Sequence, residues 1–444
     1  MADLQSIGLS DGADNQALDP EWYGQTYRDV GLLGMDAAYH YEAYGCLLGR
    51  HPNAGAASRA SGFDPLSERI AELRPPAKGS ELHAAEEIAS SEGYAVALRY
   101  AETHLPADRT NTLSALRANA ALARGDRNEW LKHLNSYLSA YGTPPLNLRE
   151  GGQLLDQLSS IALPDINGGP LITVIMPAWN AEATIVAAAS SILDQTWKNL
   201  ELFIIDDCSS DGTWTLMKDL GARDSRVRLL RNRRNVGPYV SKNIALTYAR
   251  GEWVTGHDAD DWSQPARLAD HLRAAVNAGA EASLSYMLRI QPDGKISKIG
   301  ALSEFSPDGV LRVASISCLF KRDVLSSRIG FWDSVKFGAD SEMIARTRKA
   351  VGDRFHTFPN VGMLCLDDAT SLTNHPVHGI LASGGKLSLV RASYKRCWEE
   401  WLSGVEDASL LYLPFPQSKR RYRGDFYHTV DVCSVSNICG GLDG

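Results

Sequence analysis

The sequence predicts an α/β protein: a mostly parallel sheet with flanking helices, preceded by a small all-helical region. Three observations point there. Continuous apolar runs over 171–177, 200–205, 227–230 and 253–255 read as buried parallel strands. Helical patterns over 183–193, 213–220 and 240–250 separate them, and that alternation calls for crossover helices. Polar clusters follow the first, second and fourth runs, and ligands of such sheets sit at the carboxyl ends of the strands.

A chain of 444 residues exceeds the usual size of one domain, so two or three are expected. Hydrophobic residues make up 44% and charged residues 22%, as in an ordinary globular protein. A net charge of −8 argues against a general nucleic-acid binder, which would carry a basic face. No run approaches the roughly 18–20 apolar residues of a membrane span. The start, Met1-Ala2-Asp3-Leu4-Gln5, lacks the flank and core of a secretion signal. Seven cysteines are scattered without metal-ligand spacing, so reduced thiols and a cytoplasmic protein are expected.

Residues 1–18 read as a loose tail. Asp19 before Pro20 suits a helix N-cap, and Tyr39 to Tyr44 suits a second short helix ending at Gly45. Trp22, Tyr23, Tyr27, Tyr39 and Tyr41 fit a mini-core. The Ala, Gly, Ser and Pro-rich stretch 53–80 reads as a linker. From 80 to 142 the pattern is helical, with breaks at Gly93 and Gly125 about one tetratricopeptide repeat apart and an apolar stripe at Trp130, Leu131, Leu134, Tyr137 and Leu138. Packing, or binding of a protein partner, is the expected role. Pro144, Pro145, Pro164 and Gly168-Gly169 suit a connection into the next domain.

The polar clusters carry the chemistry. The first strand ends in Pro177-Ala178-Trp179-Asn180. The second ends in Asp206-Asp207-Cys208-Ser209-Ser210-Asp211. The fourth runs into Asp258-Ala259-Asp260-Asp261. Carboxylates this close repel one another, and a hard divalent cation such as Mn²⁺ or Mg²⁺ would relieve them. The plainer alternative is a solvated acidic turn. Asp211 in particular suits a cap for the helix from Thr213.

In this order and spacing, the stretches resemble the nucleotide-binding half of the family 2 inverting glycosyltransferases, which have the GT-A fold. The resemblance covers about 170–380. It implies that Pro177, Ala178, Trp179 and Asn180 border the nucleotide base and that Asp207 binds uracil or ribose. It also implies that Asp258 and Asp260 form the D-x-D motif on the metal, with Asp258 reaching the ribose or the ion. Asn235-x-Gly237 with Lys242-Asn243 resembles the family's helix near the nucleotide. Lys242 stands where the family usually has arginine, so a phosphate contact there loses the planar fork. Residues 1–62 hold an aromatic-rich module similar to one found beside bacterial surface-polysaccharide glycosyltransferases.

The expected domains are 1–62, the helical region and linker 63–168, the GT-A domain 169–385 (nucleotide side 169–265, acceptor side 266–385), and a C-terminal helix and tail 386–444. On the acceptor side, strands are expected over 284–290 and 295–299 around Pro292-Asp293-Gly294, and another over 315–322. Gly338-Ala339-Asp340 resembles the family's acceptor loop, which implies Asp340 as general base, with Glu342 as fallback. Trp332 and Phe331 suit stacking on an acceptor sugar, or core packing. In some relatives a downstream histidine is a metal ligand, and His375 is the candidate. An amphipathic helix is expected over 384–403. The basic run at 419–423 suits a solvated surface or peripheral contact with the inner membrane.

These features imply a metal-dependent inverting glycosyltransferase that moves a sugar from a nucleotide-sugar, with UDP-sugar expected, to a glycan acceptor. The alternatives are a sugar nucleotidyltransferase and an inactive nucleotide-binding scaffold. Residues 177–190 contain no Gly, Lys or Arg, which disfavours the phosphate loop of the first.

Overall fold

The computed structural model describes residues 17–46, 48, 50–54, 56, 65–369, 371, 373–374, 379–380, 388–417, 420–422 and 439–443. They divide into two compact units, Met1–Ala77 with Glu87–His104, and Lys78–Glu86 with Leu105–Gly444.

In the first unit, Asp19 caps the helix Pro20–Thr26 by accepting from Trp22 N at 2.9 Å, with Pro20 in the first turn. Trp22, Tyr23 and Val30 form a small core with Tyr27 and Tyr41 packed on it. Ala37–His40 continues as a π-helical turn through Gly45, where the sequence ends its second helix. A helix at Pro65–Glu72 occupies part of the expected linker. Its Arg69 pairs with Glu92, so the segment is held rather than loose.

The second unit is built on one mixed sheet. Its strands in chain order are β3 (Ile172–Ala178), β4 (Leu200–Asp206), β5 (Val227–Asn232), β6 (Trp253–Gly256), β7 (Asp261–Ser263), β8 (Ala282–Ile290), β9 (Arg312–Val313), β10 (Leu319–Lys321), β11 (Phe355–Leu366) and β12 (Cys439–Asp443). The short β1 (Leu146–Leu148) and β2 (Leu158–Ser160) pair separately. The sheet order is β12-β5-β4-β3-β6-β10-β8-β11-β7, with β9 beside β8. The neighbours β5, β4, β3 and β6 are all parallel. Every residue of β3 and β4 is buried, which is why both read as unbroken apolar runs. The helices Ile185–Leu193, Thr213–Arg223 and Pro238–Tyr248 are the expected crossovers.

Beyond β6 the sheet turns mixed. β10 runs antiparallel to β6 and β8, and β11 runs parallel to β8. Two expected strands are corrected here. Of 315–322 only Leu319–Lys321 is a strand, because Ser315–Ser317 forms a 3₁₀ turn in which Ser317 Oγ bonds Ala314 O. Of 295–299 only Ile296 makes a bridge, to Ile290. Its N–H and C=O are both taken by the Asn119 side chain, at 2.7 and 2.9 Å. The helix Leu389–Gly404 starts later than expected.

The helices Leu113–Ala123 and Arg127–Ser139 belong to this second unit and grip the segment that follows β8. Trp130 Nε1 donates to Gly294 O at 2.8 Å, and Tyr137 and Tyr141 both donate to the Asp308 carboxylate. No described helix is long and apolar enough to cross a membrane.

Candidate functional site

The loops after β3 and β4 are laced together by side chains. Asn180, at φ 49°, donates its N–H to Ser209 Oγ and accepts from Ser210 N through Oδ1. Asp211 accepts from Thr213 N and Oγ1 and from Glu182 N, which braces the turn, while the N-cap position itself is Gly212, one residue past the cap the sequence suggested. Pro177 and Ala178 are buried in β3, and Trp179 beyond them is 58% exposed, an unpacked ring at the sheet's carboxyl edge. Asp207 is buried. Its carboxylate accepts from Asn232 Nδ2, Val236 N and Gly237 N at 2.7–2.9 Å. Those bonds shape the 232–237 turn and leave little of the carboxylate for a ligand. Burial raises the Asp207 pKa despite them.

After β6 the chain turns at His257 and presents Asp258, Asp260 and Asp261, with one carboxylate oxygen of each within 4.8 Å of the others. Burial raises all three pKa values, that of Asp258 to about 6; repulsion from Asp260 adds to it at Asp258 and Asp261, and repulsion from Asp368 at Asp260. Asp261 is tied down by Leu366 N at 3.1 Å. Beneath the loop lies Arg267, buried, donating to Gly256 O, Thr255 Oγ1 and His257 Nδ1. Burial lowers its pKa to about 10. Three crowded carboxylates of raised pKa are the donor set a hard divalent ion would use. His375 lies outside the described residues.

Asp340 stands in the first turn of the helix Ala339–Val351. Its carboxylate accepts from Tyr239 Oη, Lys242 Nζ and Trp332 Nε1, each at 3.1 Å. Trp332 is 5% exposed and packs edge-on to Phe320, so its ring orients Asp340 and is not open for stacking on a sugar. Lys242 is committed to Asp340 as well. The charges of Lys242, Asp260 and Asp340 all act on Asp258, so the acidic loop and Asp340 share one electrostatic neighbourhood. Glu342, the fallback base, points into the core, where it pairs with buried Arg346 at 2.6 Å.

Three residues escaped the sequence reading. Tyr239 lies in the first turn of the helix Pro238–Tyr248, one residue before the helix start read from the sequence. Arg391, on the C-terminal helix, is half-buried near Tyr239 and Asp340. Arg289, in β8, lies beside the acidic loop. A cation inside a buried strand was the available signal for Arg289. The others are joined to Asp340 only by the fold.

Residues 173–300 match the family described as Glycosyl transferase family 2. The chain carries a family 2 glycosyltransferase domain. That glycosyltransferase domain is 40% identical over 104 residues to the putative glycosyltransferase EpsE of Bacillus subtilis, covering 23% of this chain and 37% of that one. It is 35% identical over 154 residues to the UDP-Glc:alpha-D-GlcNAc-diphosphoundecaprenol beta-1,3-glucosyltransferase WfgD of Escherichia coli, covering 34% of this chain and 58% of that one. The chain therefore spans between about a third and three fifths of these relatives' length. Among solved structures, TarS 1-349 of S. aureus in complex with UDP-GlcNAc is similar with a TM-score of 0.38 at 19% identity, over 45% of this chain and 59% of that one.

Proposed function

We propose that the glycosyltransferase domain is a metal-dependent inverting hexosyltransferase that takes a nucleotide-sugar, a UDP-sugar by preference, and extends a glycan in polysaccharide biosynthesis on the cytoplasmic side. The observation that carries this reading is the carboxylate of Asp340, fixed by three donors in the electrostatic neighbourhood of Asp258. Asp340 would accept the proton of the acceptor hydroxyl as that oxygen attacks the anomeric carbon. Direct displacement inverts the carbon and needs no covalent enzyme intermediate. Asp258 and Asp260 would hold Mn²⁺ or Mg²⁺, which offsets charge on the departing diphosphate. Trp179, exposed beside the loop after β4, would cover the base. The name of WfgD supports a UDP-sugar donor and a lipid-linked acceptor.

A panel of sugar nucleotides with Mn²⁺ tests this. UDP-sugars should raise the melting temperature and be hydrolysed slowly without acceptor. Asp340→Asn should lower turnover by about 10²–10⁴ while UDP binding stays. A shift with NAD and none with any UDP-sugar would overturn the donor assignment.

A further inference from the structure

Arg289 of β8 is level with Cys365 of β11, and Cys365 is level with Asp261 of β7. Residues in register on adjacent strands present their side chains to the same face, so Arg289, Cys365 and Asp261 form a row ending at the acidic loop. Asp258, Asp260 and Asp261 all sense the Arg289 charge. A purely structural arginine in such company would close an ion pair. Among the described residues Arg289 closes none, and its one hydrogen bond runs from Nη1 to Leu366 O at 3.1 Å. The residue is half-buried, so its side chain is not sealed inside the core. Lys242, by contrast, has its charge spent on Asp340.

A nucleoside diphosphate entering this site meets an electrostatic problem. Three carboxylates outweigh a single divalent ion, so the loop with its metal still repels an anion unless another cation is near. Arginine suits the position because its planar fork can meet two phosphate oxygens at once.

We propose that Arg289 is a phosphate-binding residue, its open guanidinium edge taking non-bridging oxygens of the donor's diphosphate beside the acidic loop. The assignment rests on the nucleotide-sugar reading above and moves the phosphate contact from Lys242 to β8, beyond β6 and β10 in the sheet order.

The test titrates wild type, Arg289→Met and Arg289→Lys with UDP, uridine and farnesyl diphosphate, all in saturating Mn²⁺, by calorimetry. Arg289→Met should weaken UDP roughly ten- to a hundredfold and leave uridine and farnesyl diphosphate unchanged. Arg289→Lys should recover part of the loss. Mn²⁺ alone, followed by electron paramagnetic resonance, should bind the Met variant as tightly as wild type or more tightly. Unchanged UDP affinity overturns the proposal. So does equal weakening of UDP and uridine, which marks a structural role, or weakening of farnesyl diphosphate alone, which marks an acceptor phosphate. If Arg289→Met does not fold, Arg289→Lys carries the same comparison. If wild type binds no UDP with Mn²⁺, the nucleotide-sugar reading fails first and takes this assignment with it.

Discussion

Lys242 Nζ lies 3.1 Å from Asp340 Oδ1, with 3% of the lysine side chain and 21% of the aspartate side chain exposed. The ammonium also faces the rings of Tyr239 and Trp332, at 4.9 and 5.6 Å. A lysine so enclosed serves the carboxylate it touches, and that has a measurable consequence.

Lys242→Met leaves Asp340 with two neutral donors, Tyr239 and Trp332. Removing one partner of a largely buried pair is costly, and partial exposure of Asp340 reduces the loss to about 2 kcal/mol. Urea unfolding should show it. Turnover should fall with it, while UDP affinity changes less than about tenfold if, as proposed, this cation serves the base and Arg289 serves the phosphate. A hundredfold loss of UDP affinity with stability intact would return Lys242 to the donor.

That pairing also shows where the sequence stops informing. The parallel strands β3, β4, β5 and β6 were legible because burial on both faces leaves apolar runs, and the acidic turn was legible because its residues are adjacent. Lys242 and Asp340 stand 98 residues apart, and no local pattern joins them. The strand β11 was missed for another reason. Its sequence carries His356, Pro359 and Asn360, and the register shifts between Thr357 and Val361 accommodate the proline. The strand expected at 295–299 stops after the Ile296 bridge because Lys298 stands at φ 57°, outside the extended region a strand needs.

The Glu342–Arg346 pair separates a structural carboxylate from the candidate base two residues away. Both side chains are fully buried, and Arg346 also donates to the carbonyls of Ile329, Phe331 and Leu411. Arg346→Met strands Glu342 and those carbonyls, and a loss of about 3–5 kcal/mol is expected in denaturant unfolding. Glu342→Gln should destabilise too, but its folded fraction should keep turnover within about tenfold of wild type, far from the effect expected of a lost base. Active-site titration with UDP supplies the folded fraction. A turnover loss of a thousandfold in well-folded Glu342→Gln would make Glu342 the base.

His271 predicts how stability responds to acid. It sits on the helix Arg267–Asn277, buried, with Nε2 2.9 Å from Ser283 Oγ. Burial, helped by the charge of Arg267, lowers its pKa from 6.5 to about 3. Folding therefore favours the neutral ring, and below pH 6.5 the unfolded chain binds a proton that the folded chain refuses. This contribution is whole above pH 6.5 and shrinks as pH falls toward 3, at about 2 kcal/mol between pH 7 and pH 5. His271→Gln keeps a polar group near Ser283 but cannot titrate. It should be less stable than wild type at pH 7, and the gap should narrow by about 2 kcal/mol at pH 5, measured by urea unfolding at both values. A gap independent of pH would mean that the ring protonates in the folded chain at its ordinary value.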